Sequence, residues 1–257
     1  MIHRTRHLSA GAVVLVFLLI ASSPVSAMEA SIGLGAGFGP DYEGSDDYNA
    51  VPAWQGAVRW DSGQNVQLFG PILKANLLPT QHWELGPMLQ YIPERDNVDN
   101  NAVDKLKTVD DSLMMGIYGV WKPNHFHVRL HGVQDVSDGN DGFLLQAGVG
   151  YTIPWSETFR LIFDFYSTYA DDDYMEAYFS IDRKDADRSG LDRFDADEGF
   201  KDVGINLTAV CRPYDHWSFT TIGGYTLLVG DAEDSPVVDD EGSQHQFRGF
   251  FLVNFHF

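Results

Sequence analysis

Hydrophobic and polar side chains alternate along most of this chain. Between residues 83 and 91, apolar side chains occupy every second position, and Glu84 and Gln90 lie between them. The same period recurs at 30–38, 126–131, 159–165 and 203–209, and in the final segment FFLVNFHF at 250–257. A period of two is that of a β-strand with one apolar face. The chain is therefore predicted to be all-β.

The turns between these segments predict how the strands are arranged. We predict twelve strands, near 30–38, 51–61, 64–69, 72–78, 83–91, 113–121, 126–134, 143–153, 158–169, 201–212, 217–228 and 247–257. Short connections (DSGQ, PTQH, KPNH, PWSE and RPYDH) alternate with long polar ones at 39–50, 92–112, 135–142, 170–200 and 229–246. Short turns on one rim and long loops on the other are typical of an antiparallel, up-and-down transmembrane β-barrel.

Two segments leave the strand count open. Gly70-Pro71 is the one tight turn assigned to the rim of long loops, and merging its two strands would leave eleven. Residues 174–181 could form a further strand, so totals of ten and fourteen also stay open. Bacterial barrels of this kind have an even number of strands, which favours twelve.

A soluble β-sandwich is the alternative to a membrane barrel, because its strands also alternate. The tryptophans favour the barrel, since rings near strand ends suit the membrane interface. These residues are Trp54, Trp60, Trp83, Trp121, Trp155 and Trp217. The final Phe257, after alternating aromatics, has the form of the signal that the barrel assembly machinery recognises. In a sandwich it would simply end a buried strand.

The N-terminus predicts export. Arg4 and Arg6 precede an apolar run at 10–21, and Val25-Ser26-Ala27 fits a signal-peptidase site. We predict a signal peptide at 1–27 and a barrel domain at 28–257, in the outer membrane of a Gram-negative bacterium. Cys211 is the single cysteine, so no internal disulfide is expected.

Charge narrows the range of partners. The chain has 37 Asp and Glu against 17 Lys and Arg, and loss of Arg4 and Arg6 would leave about −22. Nucleic acid is therefore excluded as a partner. The acidic segments at 41–48, 171–173 and 230–242 are predicted to be solvated loops, which could meet divalent cations bound to lipopolysaccharide.

Polar side chains on the inward parity are candidates for a lumen. They are Arg59, Lys74, Glu84, His127, Arg129, His131, Arg160, Asp164, Asp202, Arg248 and His256. Such a set either admits a small polar solute or fills the barrel with charges that neutralise one another.

The same set gives little support to a metal site or a catalytic site. His127 and His131 lie roughly 13 Å apart on a strand, at ~3.3 Å per residue, so one metal ion cannot easily join them. A lipid hydrolase would need Ser167 beside a histidine on the lipid-facing wall, but these histidines face inward. No metal, cofactor or catalytic residue is therefore predicted.

Several stretches resemble one family. GLGAGFGPDYEGSDDYNAVP at 33–52 and YTLLVGDAEDSPVVDDEGSQHQF at 225–247 are similar to the MipA/OmpV family of outer-membrane proteins, also called MltA-interacting proteins. DYMEAYFSID at 173–182 and VQDVSDGNDGFLLQAGVGY at 133–151 extend the resemblance over most of the mature chain. The motif positions are Asp41, Tyr42, Glu43, Gly44, Ser45, Gly230, Asp231, Asp234, Ser235 and Pro236.

The resemblance implies a non-enzymatic outer-membrane barrel that contacts lipid and lipopolysaccharide. It also implies a scaffold that joins a lytic transglycosylase to a penicillin-binding protein, and hence murein hydrolysis to murein synthesis in the cell envelope. Other relatives are associated with antibiotic uptake or with adhesion. A solute-binding or uptake barrel, and an adhesin that uses residues 170–200, are therefore the alternatives.

Overall fold

Twelve antiparallel strands close into a barrel in the computed structural model, which describes residues 28–257. The strands are β1 Met28–Pro40, β2 Tyr48–Trp60, β3 Asn65–Phe69, β4 Ile72–Asn76, β5 Trp83–Ile92, β6 Ser112–Trp121, β7 Phe126–Asp135, β8 Phe143–Pro154, β9 Phe159–Ala170, β10 Gly199–Tyr214, β11 Trp217–Leu228 and β12 His245–His256. Pairing of β1 with β12, from Ser31 opposite His256 to Phe38 opposite Gly249, closes the sheet. The prediction of a twelve-stranded barrel is confirmed, and the predicted signal peptide at 1–27 lies outside the described residues.

The short hairpin of β3 and β4 is the least regular part of the wall. Each strand has five residues, and Gly70 takes a φ of 49° at the turn between them. The Gly70 N–H donates to the Trp54 carbonyl at 2.8 Å, so this hairpin ends level with the middle of β2. The tight outer turn is confirmed. The placement of Trp54 near a strand end is wrong, because the long strand β2 continues past it.

The rim of short turns is called the inner rim here, and the opposite rim is called the outer rim. Five tryptophans lie at or near the inner ends of strands, and Trp83 stacks on Trp121 with ring centroids 5.7 Å apart. Between the rims the outward wall is apolar, with Leu34 67 %, Ile117 66 % and Phe165 54 % exposed. Such a continuous apolar wall is stable in hydrocarbon rather than in water.

Helices are few and short. They are α1 Asp172–Phe179, α2 Arg183–Ser189, α3 Asp231–Asp234 and α4 Pro236–Asp239, with one 3₁₀ turn at Val103–Lys105. In residues 28–257, no helix is long and apolar enough to cross a bilayer.

The outer loops fold over the barrel mouth and form what we call the outer plug, residues 41–47, 93–111, 136–142, 171–198 and 229–244. Its apolar side chains join inward-facing residues at the outer ends of the strands in one buried cluster. Phe179, Val237 and Leu228 are completely buried there. The outer mouth is therefore filled by the protein's own loops.

One alternative that the sequence left open for these loops is excluded, and one expectation about them is wrong. Residues 174–181 are mainly helical: the Asp171 carboxylate caps α1 by accepting from the Tyr174 N–H, and Tyr174, Met175, Tyr178 and Phe179 share its buried face. The acidic segments at 41–48 and 230–242 are not simply solvated, because Tyr42, Val237 and Val238 are buried in the plug.

Candidate functional site in the barrel lumen

The polar positions predicted to face inward occupy one continuous inner surface. Arg59 lies on β2, Lys74 on β4, Glu84 on β5, Asp202 on β10, and Arg248 and His256 on β12. The remaining members lie on adjacent parts of the wall, with His127, Arg129 and His131 on β7 and Arg160 and Asp164 on β9. The structure divides this set into groups paired with carboxylates, basic side chains without a carboxylate partner, and an ion cluster beneath the plug.

Asp164 holds one paired group. Its Oδ1 accepts from Arg129 Nη1 at 2.6 Å and lies 2.7 Å from His127 Nε2, while the carboxylate itself is buried. Glycines opposite these side chains make the room: a Cβ on Gly150 would lie 2.2 Å from His127 Cε1. His127 thus contacts Asp164, whereas His131 is paired across the sheet with Tyr118.

Glu84 holds a second paired group near the inner rim. Its Oε1 accepts from Lys122 Nζ and from Asn65 Nδ2, and Asn65 is buried. The pattern of alternating residues missed Lys122, because this lysine lies in a turn and not on a strand. Within residues 28–257, no three His, Cys, Asp or Glu side chains are grouped so as to hold a metal ion.

In the rest of the lumen, the charges of the basic side chains are not all neutralised by carboxylates. Among the described residues, no carboxylate lies within 4 Å of the charged nitrogens of Arg59, Lys74, Arg160 or Arg248. Some of these cations face aromatic rings instead. Lys74 Nζ lies 5.3 Å from the centre of the Tyr118 ring, and Arg248 Cζ lies 6.0 Å from the centre of the Tyr166 ring.

An ion cluster joins the plug to the wall. Lys201 is buried and contacts the carboxylates of Glu43 and Asp202, with 2.8 Å between Nζ and Asp202 Oδ2. Tyr174 Oη donates to Glu43 Oε2 at 2.9 Å. A register shift in the pairing of β9 and β10 allows both Lys201 and Asp202 to be buried, which strict alternation forbids. Sequence alternation therefore found Asp202 and missed Lys201.

Burial affects the phenols of the plug. It raises the pKa of Tyr42 and that of Tyr178 to about 12, and it raises the pKa of Tyr174 well above the usual 10, with the Glu43 charge adding to the effect. Burial also lowers the pKa of the Arg95 guanidinium. That group donates to the Tyr178 carbonyl at 2.6 Å, at the C-terminal end of α1, where backbone carbonyls are left without helical partners.

The two family-motif segments meet inside the plug, although about 190 residues separate them. Gly44, with φ 99°, packs so closely on Val238 that a Cβ would lie 2.5 Å from Val238 Cγ2. The Gly44 carbonyl accepts from Ser243 N–H, and the Ser45 carbonyl accepts from Gln246 Nε2.

The other motif positions serve the same packing. Asp41 accepts from Asp99 N–H, and Asp231 accepts from Asp197 N–H. Ser235 donates to the Phe179 carbonyl and caps α4, whose first residue Pro236 is buried. Gly230 takes a φ of 60°, and Asp234 is exposed.

On the lipid-facing wall, Ser167 and Cys211 are potentially reactive, but neither lies in a catalytic arrangement. Ser167 donates its hydroxyl hydrogen to the Asp202 carbonyl at 2.8 Å, beside an apolar groove that Leu145 and Phe200 help to line. Cys211 is a free, partly buried thiol. Phe257, the predicted assembly signal, packs against Phe255 at 5.2 Å, and its N–H donates to the Ala30 carbonyl.

Comparison with known proteins places the chain in a family. It is 24 % identical over 232 residues to YiaT of Escherichia coli K12, which carries the name of an outer-membrane protein, and the alignment covers 88 % of this chain and 92 % of the relative. YiaT of Escherichia coli O157:H7 matches to the same extent.

Two solved structures with a similar course of the chain are outer-membrane channels. One from Pseudomonas putida F1 has a TM-score of 0.48 and 11 % identity, covering 92 % of this chain and 97 % of its own. The channel DcaP of Acinetobacter baumannii has a TM-score of 0.40 and 10 % identity, covering 90 % and 96 %. The family model described as MltA-interacting protein MipA matches residues 32–257. The chain therefore belongs to the MipA family and is an outer-membrane β-barrel.

Proposed function

We propose that this protein is a non-enzymatic outer-membrane scaffold that docks periplasmic murein enzymes at its inner rim. The partners would be a lytic transglycosylase, as the family description MltA-interacting protein suggests, and a murein-synthesising penicillin-binding protein. Docking to the inner rim needs no open pore.

The filled outer mouth is the observation that carries this proposal. Five outer loops bury a continuous apolar cluster across the mouth, and the completely buried Phe179 and Val237 lie within it. A barrel that admits solutes from outside needs an aqueous path through this region. The closed plug therefore favours a role at the opposite, periplasmic end over free diffusion through the lumen.

The inner rim offers a limited surface for docking. Its turns are short, and a stable protein interface buries about 800 Å² on each partner. Aromatic anchors dominate the binding energy of such interfaces. Trp155, which is 73 % exposed in the turn between β8 and β9, is the side chain best placed to act as an anchor.

Binding of the mature barrel to a purified transglycosylase of the MltA type tests the proposal. We expect the Trp155→Ala variant to bind at least tenfold more weakly, which corresponds to about 1.4 kcal/mol. Phe200→Ala is the matched control, because Phe200 is also an exposed aromatic but lies at the outer end of β10. Equal affinity of both variants, or no binding by the wild type, would reject docking at the inner rim.

Planar-bilayer recordings provide an independent check. The scaffold proposal expects electrical silence from the wild-type barrel at neutral pH. Steady channel openings of the unmodified protein would favour an uptake barrel instead.

A further inference from the structure

Two arginines from different strands flank one tyrosine ring in the middle of the lumen. Arg129 Cζ lies 5.7 Å and Arg248 Cζ lies 6.0 Å from the centre of the Tyr166 ring. Arg248 also donates from Nη2 to Tyr166 Oη at 2.6 Å, and this oxygen lies 2.6 Å from Thr226 Oγ1. Both guanidinium groups therefore lie against the same ring, and of the two only that of Arg129 is paired with a carboxylate.

The residues paired with these three side chains on the neighbouring strands are glycines. A Cβ on Gly204 would lie 2.3 Å from Tyr166 Cζ, and a Cβ on Gly224 would lie 2.8 Å from Arg248 Cγ. A Cβ on Gly148 would lie 2.9 Å from Arg129 Nε. Because any larger residue would displace the three side chains, the chain specifies their positions.

Hydrogen-bonding capacity remains unused at this place. Arg129 binds Asp164 through Nη1, but its buried Nε has no partner among the residues that the structure describes. Buried polar groups without partners are rare, so the Arg129 Nε indicates a missing polar partner.

The lumen beside these side chains also has room for a small ligand. Arg248 points into the barrel and is nevertheless exposed, so the lumen beside it is wide enough for water. Arg160, nearer the inner rim on the inward face of β9, is exposed too. With the outer mouth filled by the plug, a ligand would have to enter this space from the inner rim.

The charge of the lumen favours an anion. Arg248, Lys74 and Arg160 have no carboxylate within 4 Å among the described residues. Arg129 is paired with Asp164, so Arg248 supplies the uncompensated charge beside Tyr166. A guanidinium binds carboxylate and phosphate oxygens through paired N–H donors, which Lys cannot reproduce.

From these observations we infer that the lumen contains a binding site for a small oxyanion, a carboxylate or phosphate group carried by a periplasmic solute, between Arg129, Tyr166 and Arg248. Arg248 supplies the guanidinium N–H groups that do not bind Tyr166, Arg129 supplies its unused Nε–H, and Tyr166 holds the Arg248 side chain in place. This site is separate from the inner-rim surface of the proposed scaffold.

Isothermal titration of the mature barrel in nonionic detergent at pH 7 and low salt tests the site. The probes are inorganic phosphate and D-glucuronate, with D-glucose as an uncharged counterpart of the latter. We expect at least one anion to bind with a stoichiometry near one and glucose to give no heat. The ratio of the two affinities then tells whether phosphate or carboxylate is preferred.

Substitutions locate the binding. Arg248→Gln should weaken anion binding at least tenfold, and Tyr166→Phe, which keeps the ring but loses the hydroxyl that holds Arg248, should weaken it severalfold. Arg212→Gln is the matched control, because it removes the same charge at the exposed inner end of β10, and its affinity should stay within twofold of the wild type. The inference is overturned if neither anion binds, or if Arg248→Gln and Tyr166→Phe both bind as the wild type does.

Discussion

Lys201 offers the sharpest test of how the outer plug is held. Its side chain is only 6 % exposed and contacts two carboxylates, that of Glu43 in the plug and that of Asp202 on β10. Replacing Lys201 with Met keeps much of the side-chain volume and removes the charge. Glu43 and Asp202 would then face each other without a cation, and one oxygen of Asp202 already lacks a hydrogen-bond partner in the described structure.

The size of the effect follows from burial. Breaking a buried ion pair by removing one partner costs about 3–5 kcal/mol. Because the Glu43 side chain is 24 % exposed, solvent screens part of its pairing, and we expect the lower end, about 3 kcal/mol. Since about 1.4 kcal/mol corresponds to a tenfold change, local opening of the plug should become roughly a hundred times more frequent.

Hydrogen exchange followed by mass spectrometry measures that opening. Peptides from 41–47 and 171–179 should exchange about a hundredfold faster in Lys201→Met, while peptides from the inner ends of the strands stay protected. Lys184→Met is the control, because Lys184 is an exposed lysine of the plug that forms no ion pair in the described residues.

A second substitution separates charge repulsion from lost packing. Adding Glu43→Gln to Lys201→Met removes the unpaired plug carboxylate, so at least half of the lost protection should return. If Lys201→Met exchanges like Lys184→Met, the ion cluster does not hold the plug.

Three further outcomes follow from the same contacts. Gly44→Ala would place a Cβ 2.5 Å from Val238 Cγ2 on a residue whose φ is 99°. Measured by hydrogen exchange, this variant should destabilise the plug by about 2–4 kcal/mol. The control Gly190→Ala, which has φ 86° but open space around the Cβ, should cost only about 1 kcal/mol. Asp164→Asn leaves Arg129 unpaired and should lower the free energy of unfolding in urea by about 3 kcal/mol, whereas the exposed Asp215→Asn should not change it measurably. Raising the pH should open the plug. The phenols of Tyr42 and Tyr178 ionise near pH 10 when exposed but near pH 12 when buried in the closed plug. The plug is therefore fully stabilised below pH 10 and loses stability between pH 10 and pH 12. Conductance that stays silent throughout that range would contradict this assignment.

The wall of the barrel could be predicted because the side chain required at each position depends only on the alternation of neighbouring residues in the sequence. Each side chain that meets lipid must be apolar and its neighbour faces the lumen, so alternation and turn lengths predicted twelve strands. Even the turn at Gly70 could be placed, since five residues on either side alternate. Lys201 was not predicted to face inward, because one shift in register at Phe200 changes which side chains face the lumen.

The plug could not be predicted because its contacts are distant in sequence. Nothing near Gly44 shows that Val238 will pack against it, and the helix at 172–179 is too short for its period to stand out beside the alternation of the strands. Tyr166 has the inward parity that identified Asp164. However, its role depends on Arg129 and Arg248 from two other strands.

The distribution of charge separates the two faces of this protein. The plug contains 29 of the 37 acidic residues and only seven of the basic ones, so the rest of residues 28–257, with eight of each, is formally neutral. The negative field therefore acts outside the barrel, where it attracts cations. Inside, Arg59, Lys74, Arg160 and Arg248 have no carboxylate within 4 Å among the described residues. A cation drawn to the plug would thus meet both an apolar seal and a repulsive interior.

Replacing Asp231, Glu233 and Asp234 with their amides should weaken divalent-cation binding at the outer surface and leave anion binding at Arg248 unchanged. Titration of both ligands on that one variant tests this separation, and a parallel loss of both would show that the plug and the lumen form a single electrostatic unit.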